Sequence, residues 1–368
     1  MSAVELDRFE LPHARGVTRH VYGPGAIAAG AAQMEGHLAA RSLFLFAVRP
    51  VLELHAGELE AVRQRAGRFE VVEIPDGEAA KTIAVAESVW RRLLTAGGLR
   101  DSLVAAFGGG SVSDLAGFVA GAFLRGVDWI GIPTTLLAQV DAAVGGKTGV
   151  DLPEAKNAVG LFHHPLAVWA EPALLRTLPG EQVRSGLVEV IKVGAILDPG
   201  LFDTVERELD ALRSADPARL APVVASAARA KAALVASDPD EQGPRKLLNF
   251  GHTLGHALEA EIGYGEIAHG DAVAHGLRFA LELSDGRGDD AFAARLRTLL
   301  DRLGVPPLPE LDAGRLLERI ARDKKARHDG VDWILLAGAG RGEVERLPPE
   351  EVERRLLDFL RRARRATV

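Results

Sequence analysis

The chain has 368 residues, of which 44 are basic and 51 acidic, so its formal net charge is −7 at pH 7. This balance argues against a nucleic-acid-binding or membrane-surface protein, and any anionic ligand must be held by a local basic cluster. The absence of cysteine excludes disulfides, thiolate metal sites and cysteine nucleophiles. The first residues lack a signal-peptide pattern, and no apolar run reaches the ~20 residues of a membrane span. We therefore expect a soluble, cytoplasmic protein with no membrane or nucleic-acid partner.

The first half of the chain alternates apolar segments of strand length with helical segments. Strands are predicted at 18–22, 42–48, 69–74, 102–107, 129–133 and 166–169, and helices at 26–36 and 82–96. Continuously apolar strands are typical of a parallel sheet buried on both faces, and the alternation with helices indicates the same architecture. We predict an α/β domain with a parallel-type nucleotide-binding sheet over residues 1–179.

A glycine-rich segment, Gly108-Gly109-Gly110-Ser111-Val112-Ser113-Asp114, follows the strand at 102–107 and opens a helical pattern. Residues without side chains let backbone N–H groups approach a pyrophosphate at the N-terminus of a helix. The segment does not match GxGxxG, so a tight structural turn is the alternative interpretation. Its position between a buried strand and a helix favours nucleotide binding.

A second glycine pair precedes Lys147 in a sequence that invites comparison with a phosphate-binding P-loop. The P-loop pattern GxxxxGK[ST] requires glycine where this chain has Asp141, so we reject that interpretation. What remains is a flexible turn that presents Lys147 beside Asp141. Lys156 and Asn157 follow shortly afterwards.

Beyond residue 180 the apolar residues recur at helical spacing. Helices are predicted at 181–196, 199–212, 217–237, 251–261, 270–284, 290–303, 313–323 and 349–363, with one short strand at 331–336. We therefore predict that residues 180–368 form a mainly α-helical domain that binds metal and substrate.

Three histidines carry the strongest chemical signal in this helical domain. His252 and His256 are four residues apart, so both imidazoles lie on one helix face, and His269 follows a Gly–Tyr–Gly turn. Zinc accepts imidazole nitrogen and carboxylate oxygen, and Glu189, an acid in an apolar helical run, is the candidate carboxylate. Thr253 excludes an HExxH metalloprotease. For the first two histidines alone, a solvated helix face is the alternative.

Basic and amide side chains occur in the glycine-rich turns and beside the histidines. They are Arg125, Lys147, Lys156, Lys192, Lys231, Arg245, Asn249, Lys324 and Lys325. A set of this size indicates recognition of phosphate and carboxylate oxygens. The sequence therefore predicts a nucleotide site and a metal site that meet at a cleft.

Several long motifs follow one another along nearly the whole chain. They are GGGSVSDLAGFVAGAFLRG, IPTTLLAQVDAAVGGKTGV, KNAVGLFHHP, RSGLVEVIK, KLLNFGHTLGHALE, AHGDAV and RDKK. In this order and spacing they resemble the 3-dehydroquinate synthase family. The resemblance implies an enzyme that depends on NAD and Zn2+, with Co2+ as an alternative metal, and often forms a homodimer. Its implied substrate is a small sugar-acid phosphate, 3-deoxy-arabino-heptulosonate 7-phosphate, in the shikimate pathway.

The resemblance also implies roles for individual residues. Glu189, His252 and His269 would hold the metal ion, and His256 would handle protons or contact phosphate. The other implied substrate contacts are Asp141, Lys147, Lys192, Lys231, Arg245 and Asn249, with Arg125 near the phosphate and a lysine of the Lys324-Lys325 pair. The implied NAD contacts are Glu78, Lys81, Gly109, Gly110, Asp114, Thr134, Thr135, Lys156, Asn157, Thr177 and Leu178.

The implied reaction explains why one pocket needs all these parts. NAD removes hydride from a secondary alcohol that the metal polarises, phosphate is eliminated, the hydride returns and the ring closes to give 3-dehydroquinate. NAD is therefore not consumed. The basic cluster fixes phosphate and carboxylate so that one set of groups serves successive steps.

Three alternative functions stay open at this point. They are another sugar-phosphate cyclase (an aminodehydroquinate, deoxyinosose or epi-valiolone synthase), a metal-dependent polyol dehydrogenase, and a cofactor-binding protein without activity. VDAAVGGKTG and EVIK stand in the dehydroquinate synthase form, and a dehydrogenase would not need so many lysines.

One departure from the family pattern concerns the acid that many relatives carry at the end of the second predicted strand, where it holds the adenosine ribose. Here the chain reads Phe46-Ala47-Val48-Arg49-Pro50, so NADP is an alternative to NAD.

Overall fold

The computed structural model describes residues 5–153, 155–321, 326–327 and 330–365. The chain forms two compact units that are interleaved along the sequence. The first unit contains the chain up to Val183 and also Ser214–Pro239, whereas the second contains Arg184–Arg213 and the chain from Asp240 onwards. The division into domains at residues 179 and 180 stays a prediction, because compact packing alone does not define independently folding domains.

Strands alternate with helices in the first half of the described chain, and helices dominate the second half. The strands are β1 (Asp7–His13), β2 (Gly16–Tyr22), β3 (Ser42–Ala47), β4 (Arg68–Glu73), β5 (Leu103–Gly108), β6 (Asp128–Pro133), β7 (Lys147–Leu152), β8 (Ala155–Phe162), β9 (Ala167–Ala170), β10 (Ala326–Arg327), β11 (Gly330–Gly338) and β12 (Arg341–Leu347). The helices are α1 (Ala26–Gln33), α2 (Glu35–Ala39), α3 (Arg49–His55), α4 (Glu60–Arg65), α5 (Ile83–Thr95), α6 (Gly110–Ala122), α7 (Gly180–Ile196), α8 (Pro199–Arg213), α9 (Pro217–Ser237), α10 (His252–Ile262), α11 (His269–Leu283), α12 (Asp290–Arg302), α13 (Ala313–Ala321) and α14 (Pro349–Arg365). This order confirms the predicted fold class.

Among the described residues, a seven-stranded sheet with the order β1-β2-β9-β6-β5-β3-β4 forms the centre of the first unit. The β1–β2 pair is antiparallel. Every other neighbouring pair in this order, from β2–β9 to β3–β4, is parallel. Phe44 and Phe46 of β3 pack on one face with Leu115 of α6, while Leu43 and Leu45 join the layer on the other face. Helices thus cover both faces, which is why the central strands are continuously apolar.

The parallel strands bring several loops to one edge of the sheet. The segments after β3, β4, β5, β6 and β9 all leave from the carboxyl ends of their strands, where α/β proteins bind ligands. The predicted glycine turn precedes Lys147, with φ angles of +113° at Gly145 and +66° at Gly146. It leads into the β7–β8 hairpin, in which Lys147 pairs with Phe162. The hairpin is ordered because Val150 is buried in the apolar layer of α6 and Thr148 contacts Gly117 of that helix.

The second unit is built on α10 and α11, which approach each other at backbone distance. A Cβ at Gly276 would lie 1.8 Å from the carbonyl oxygen of Gly251. Side chains from α10, α11, α13, α14 and β11 form the core, where the rings of Phe279 and Trp333 lie 5.4 Å apart. A β10-β11-β12 sheet replaces the predicted single strand. The β12 sequence is largely polar and exposed, so only its pairing with β11 makes it a strand.

One described helix, α9, is long and apolar, although Arg219, Arg229 and Lys231 interrupt its apolar residues. It has 21 residues and passes the length and composition test for a membrane span, and 56% of its apolar stretch is buried. A core helix of a soluble protein meets the same test when its apolar residues are inside the fold. The helix is therefore weak support for a membrane location.

Replacing Gly276 with alanine should destabilise the second unit, because the added methyl group would overlap the Gly251 carbonyl of the neighbouring helix. Overpacking of this kind costs about 1–3 kcal/mol. Gly36→Ala is the control, since a methyl group there meets no atom within 4 Å and alanine favours helix. Urea unfolding should show a lower midpoint for Gly276→Ala alone. An unchanged midpoint would contradict the close packing of α10 on α11.

Candidate active site

Three side chains meet in the second unit, and they are the predicted metal ligands. Glu189 lies on α7, His252 opens α10 and His269 opens α11. Their ligand atoms lie within 4.8 Å of one another. Nε2 of each imidazole is 3.8 Å from Oε1 of Glu189. Two atoms bound to one zinc ion at ~2.1 Å are at most about 4.2 Å apart, so the carboxylate–imidazole spacings suit a shared ion.

The environment of Glu189 fits a metal ligand. The residue is 1% exposed, and neither carboxylate oxygen accepts a hydrogen bond from a described residue. Lys192, one turn further along α7, contacts Oε2 as an ion pair outside hydrogen-bond geometry. A buried carboxylate without donors is costly, and a divalent ion at Oε1 would offset that cost. One carboxylate and two imidazoles also leave a coordination position for substrate, as in catalytic zinc sites.

Both imidazole ligands are oriented through the nitrogen that faces away from Glu189. Nδ1 of His252 lies 3.1 Å from the carbonyl oxygen of Phe250. A carbonyl only accepts hydrogen bonds, so Nδ1 carries the proton and the Nε2 lone pair points towards Glu189. Nδ1 of His269 lies 3.3 Å from a carboxylate oxygen of Glu259. Burial, together with the charge of Lys192, holds the pKa of His252 well below its usual range, so the ring is neutral as a metal ligand must be.

A clamp between α7 and α11 sets the spacing of the carboxylate ligand and the second imidazole. Arg184 donates two hydrogen bonds to the carboxylate of Asp271, at 2.7 and 2.8 Å. The N–H of Gly270, in the first turn of α11, donates to Ser185 Oγ at 2.9 Å. A Cβ at Gly270 would lie 2.3 Å from Ser185 Cα, so only glycine permits this approach. The backbone of the two helices therefore fixes the metal site.

The other predicted residues of the second unit differ in how far they approach the ligands. His256 is exposed, and its ring centre lies 5.3 Å from that of His252, edge-on. Arg245 is buried in a short 3₁₀ helix. Asn249, at the end of the same 3₁₀ helix, donates to Glu241 at 2.7 Å. The predicted substrate lysines Lys324 and Lys325 lie outside the described residues.

In the first unit, the glycine-rich turn lies at the carboxyl edge of the sheet. Gly109 is the N-cap of α6 and offers no side chain, so nothing on the cap residue competes for the first N–H groups of the helix. A Cβ at Gly109 would lie 3.1 Å from Thr135, and one at Gly110 would lie 3.2 Å from Ala142. Thr134 follows β6 at the same edge, where its N–H donates to the carbonyl of Gly108. This arrangement suits a pyrophosphate.

A buried ammonium group, Lys81, links the predicted nucleotide contacts of the first unit. Its Nζ lies 2.9 Å from Asp114, 2.6 Å from Asn157 Oδ1, and 3.8 Å from both Glu78 and Asp151. Sequence reasoning missed Asp151, which accepts from the N–H of Asn157 at 2.6 Å. Burial raises the pKa of Asp114 and of Asp151. Three carboxylates surround the two lysines of this group, Lys81 and Lys156. Through these contacts Lys81 holds α6 against the β7–β8 hairpin.

Two predicted substrate residues meet beside the glycine-rich turn. Lys231 of α9 is buried and donates to both the backbone oxygen and Oδ1 of Asp141, each at 2.7 Å. Asp141 lies in a π-helical turn, Ala138–Ala142, and such turns are frequent at functional sites. Lys147 is exposed at the start of β7.

The remaining predicted residues of the first unit lie at two different edges of the sheet. Thr177 and Leu178 follow β9 at the carboxyl edge, where Thr177 Oγ1 is 2.7 Å from His55 Nε2. Lys156, on β8, lies 3.2 Å from Glu78. Arg125 lies between α6 and β6, at the amino edge, because α6 runs back across the sheet. The structure therefore does not bring Arg125 to the glycine-rich turn within its own unit.

The strand end that lacks the usual ribose-binding acid carries an ion pair. Arg49, just beyond β3, lies 2.9 Å from the carboxylate of Glu73 at the end of β4. Ala47 and Glu73 are direct neighbours in the parallel register. A carboxylate is thus present at this edge, but it comes from the adjacent strand and is shared with an arginine.

The first unit has a glycine-rich turn at the carboxyl edge of a parallel sheet, and the second, helical unit has a Glu–His–His group. Together these features define a class of enzymes that bind a nucleotide in one unit and a metal ion in the other. Within this class the chain belongs to the 3-dehydroquinate synthase family. The 3-dehydroquinate synthase N-terminal model matches residues 71–185, and the C-terminal model matches residues 186–326.

Individual proteins agree with this assignment. The chain is 44% identical to the 3-dehydroquinate synthase of Xanthomonas oryzae pv. oryzae, over 89% of this chain and 87% of that protein. The structure of a 2-epi-5-epi-valiolone synthase from Streptomyces hygroscopicus, with NAD+ and Zn2+ bound, is similar at a TM-score of 0.83 and 26% identity, over 98% of both chains. A 2-deoxy-scyllo-inosose synthase shares the fold at a TM-score of 0.87 and 23% identity, over 96% of this chain and 100% of that chain.

Lys81→Met should destabilise the first unit, because three carboxylates lose a shared counter-ion. Breaking a buried ion pair costs up to about 3–5 kcal/mol, and less where the carboxylates are partly exposed. The substitution adds to the burial that already raises the pKa values of Asp114 and Asp151. An acid whose pKa is raised in the folded state lowers the stability of the protein as the pH rises through that pKa. The loss in the free energy of unfolding caused by Lys81→Met should therefore be larger at about pH 8 than at about pH 5.

Lys156→Met is the matched control for this measurement. Its side chain is 21% exposed, against 4% for Lys81, so the loss of its ion pair with Glu78 should cost less. Urea unfolding of both variants at the two pH values compares them directly. A Lys81→Met deficit that is independent of pH, or no larger than that of Lys156→Met, would contradict the proposed charge balance.

Proposed function

We propose that the chain converts 3-deoxy-arabino-heptulosonate 7-phosphate to 3-dehydroquinate with release of inorganic phosphate. The observation that carries the proposal is the group formed by Glu189, His252 and His269. It supplies one carboxylate and two imidazoles whose ligand atoms lie at distances that suit one metal ion. The curated relative with 44% identity over most of both chains is a 3-dehydroquinate synthase. Family membership and site chemistry therefore support the same reaction.

The proposed cofactors are NAD and Zn2+, with Co2+ as an alternative metal. The 2-epi-5-epi-valiolone synthase that is 26% identical has NAD+ and Zn2+ bound. In this chain NAD would lie on the Gly109-Gly110 turn, and Glu189, His252 and His269 would hold the ion. When bound, the nicotinamide supplies reversible hydride transfer and the ion polarises the reacting hydroxyl.

Buried cations of this chain are suited to gripping a sugar-acid phosphate. Lys192, Lys231 and Arg245 are each less than one-tenth exposed, so they have lost most of their hydration. Charge-assisted hydrogen bonds to phosphate or carboxylate oxygens are strong in such surroundings. We assign substrate contacts to these three residues and to Asp141, Lys147 and Asn249. Proton transfer at the metal site is assigned to His256, whose exposed ring lies beside both imidazole ligands.

The Arg49–Glu73 ion pair supports NAD over NADP. The sequence analysis named Arg49 as the cation at this strand end that could bind the 2′-phosphate of NADP. In the structure Arg49 already pairs with Glu73. The carboxylate would repel the phosphate of NADP, whereas it can accept hydrogen bonds from the ribose hydroxyls of NAD.

A homodimer and a cytoplasmic location are further proposals, which rest on the family resemblance. Sedimentation tests the first and cell fractionation tests the second.

Purified protein with NAD and Zn2+ should release phosphate from the heptulosonate phosphate without a net change in absorbance at the NADH wavelength, because the hydride is returned. A colorimetric phosphate assay and the product mass check the outcome. Glycerol serves as the comparison substrate, since net NADH from glycerol would indicate a polyol dehydrogenase. Net NADH from the heptulosonate phosphate, or no phosphate release, would remove the cyclase assignment.

His269→Ala should abolish both metal content and turnover, because it removes one of three ligands. His256→Ala is the matched variant and should retain metal while losing turnover. Elemental analysis of the purified, dialysed proteins measures the metal content. Zinc lost from His256→Ala but kept in His269→Ala would show that the imidazoles were assigned wrongly.

A further inference from the structure

A buried carboxylate lies beside the candidate metal site, at the last position of the KLLNFGHTLGHALE motif, and the sequence analysis assigned it no role. Glu259 of α10 is 3% exposed, and its Oε2 is 3.3 Å from Nδ1 of His269. His252, His256 and Glu259 stand at positions i, i+4 and i+7, so all three lie on one face of α10. One helix face thus carries a ligand, an exposed imidazole and the partner of the second ligand.

We propose that Glu259 is a positioning residue for the metal site. Its carboxylate accepts the Nδ1 proton of His269, which fixes the tautomer of that ring and directs Nε2 towards Glu189 and the metal ion. The inference rests on the proposed metal-dependent function. It goes beyond that function because it names the group that sets the geometry and basicity of one ligand.

The two imidazole ligands differ in how they are restrained, and this difference explains the need for Glu259. The ring of His252 is oriented by the carbonyl of Phe250, two residues away in its own chain segment, and its side chain is 11% exposed. The side chain of His269 opens α11 and is 30% exposed. Glu259, on the neighbouring helix α10, supplies a contact that restrains the orientation of this ring.

The charge of Glu259 has a second effect on the same ring. A carboxylate hydrogen-bonded to the distal nitrogen of a ligand imidazole raises the basicity of the coordinating nitrogen. Loss of such a partner typically weakens metal binding by about 10–100-fold. Keeping a carboxylate buried at this position is costly unless it is partnered, so its placement beside the ligand ring has a physical reason.

The test separates a positioning role from a structural link between α10 and α11. Glu259→Leu removes the acceptor, whereas Glu259→Gln keeps an oxygen acceptor but removes the charge. Glu261 provides the matched control on the same helix, since its side chain is 7% exposed and pairs with Arg315 and Arg319 at 2.9 and 2.8 Å. Glu261→Leu and Glu261→Gln therefore make the same changes away from the imidazoles.

Two measurements are made on each full-length variant. Competition with a chromophoric chelator gives the Kd for Zn2+, and the visible absorption of the Co2+ form reports the ligand geometry. Thermal unfolding of the metal-free protein reports any structural loss. A variant that melts like its Glu261 counterpart is compared by its metal affinity alone.

The Kd for Zn2+ should rise about 10–100-fold in Glu259→Leu and by less in Glu259→Gln, with an altered Co2+ spectrum, while both Glu261 variants keep wild-type affinity. Wild-type affinity in folded Glu259→Leu overturns the inference and leaves the proposed function standing. If Glu259→Leu does not fold, equal affinity of Glu259→Gln and Glu261→Gln overturns it. Wild-type protein that binds no Zn2+ overturns both the inference and the proposed function.

Discussion

The candidate metal site depends on how closely α7, α10 and α11 approach one another. Gly270 lies against the backbone of Ser185, and Gly276 lies against the carbonyl of Gly251, so two of the three helix contacts involve main-chain atoms. Backbone contacts leave little freedom for sliding, and ligand atoms held by packed helices keep their positions better than ligands on loops. The bidentate Arg184–Asp271 pair adds direction to one of these contacts. A shift of either helix would move one imidazole relative to the Glu189 carboxylate.

Electrostatics in this chain are local and not set by the net charge of −7. Lys81, Lys192 and Lys231 are buried, and each lies against at least one carboxylate. An acidic protein repels anions at long range, so an anion-binding site in this chain requires a local concentration of cations. Pairing with acidic side chains offsets part of the cost of burying these three side chains. The pairs of Lys81 and Lys231 also link separate elements of the first unit, as Lys81 links α6 to the β7–β8 hairpin.

Much of the fold and of the metal site could be predicted from sequence, for identifiable reasons. The strands β3, β5, β6 and β9 are short apolar runs, and α10 presents two histidines at helical spacing. Features that depend on a distant partner could not be predicted in this way. The hairpin around Lys147 forms because Val150 is buried against α6, and β12 is a strand only beside β11. Asp151 lies outside the quoted motifs, and Glu259 ends one of them without an assigned role, because their contacts with Lys81 and His269 come from other elements. Arg125 lies at the other edge of the sheet because of the direction of α6, and the phosphate contact that the resemblance implies for it stays a prediction.

Anomalous X-ray diffraction from crystals of the zinc-loaded protein tests the central claim most directly. Data collected on both sides of the zinc absorption edge locate the ion without reference to any assumed chemistry. The predicted result is one strong peak at ~2.0–2.2 Å from Oε1 of Glu189 and from Nε2 of both His252 and His269. A peak that involves His256 in place of either imidazole, or zinc bound only at other surfaces of the protein, would contradict it.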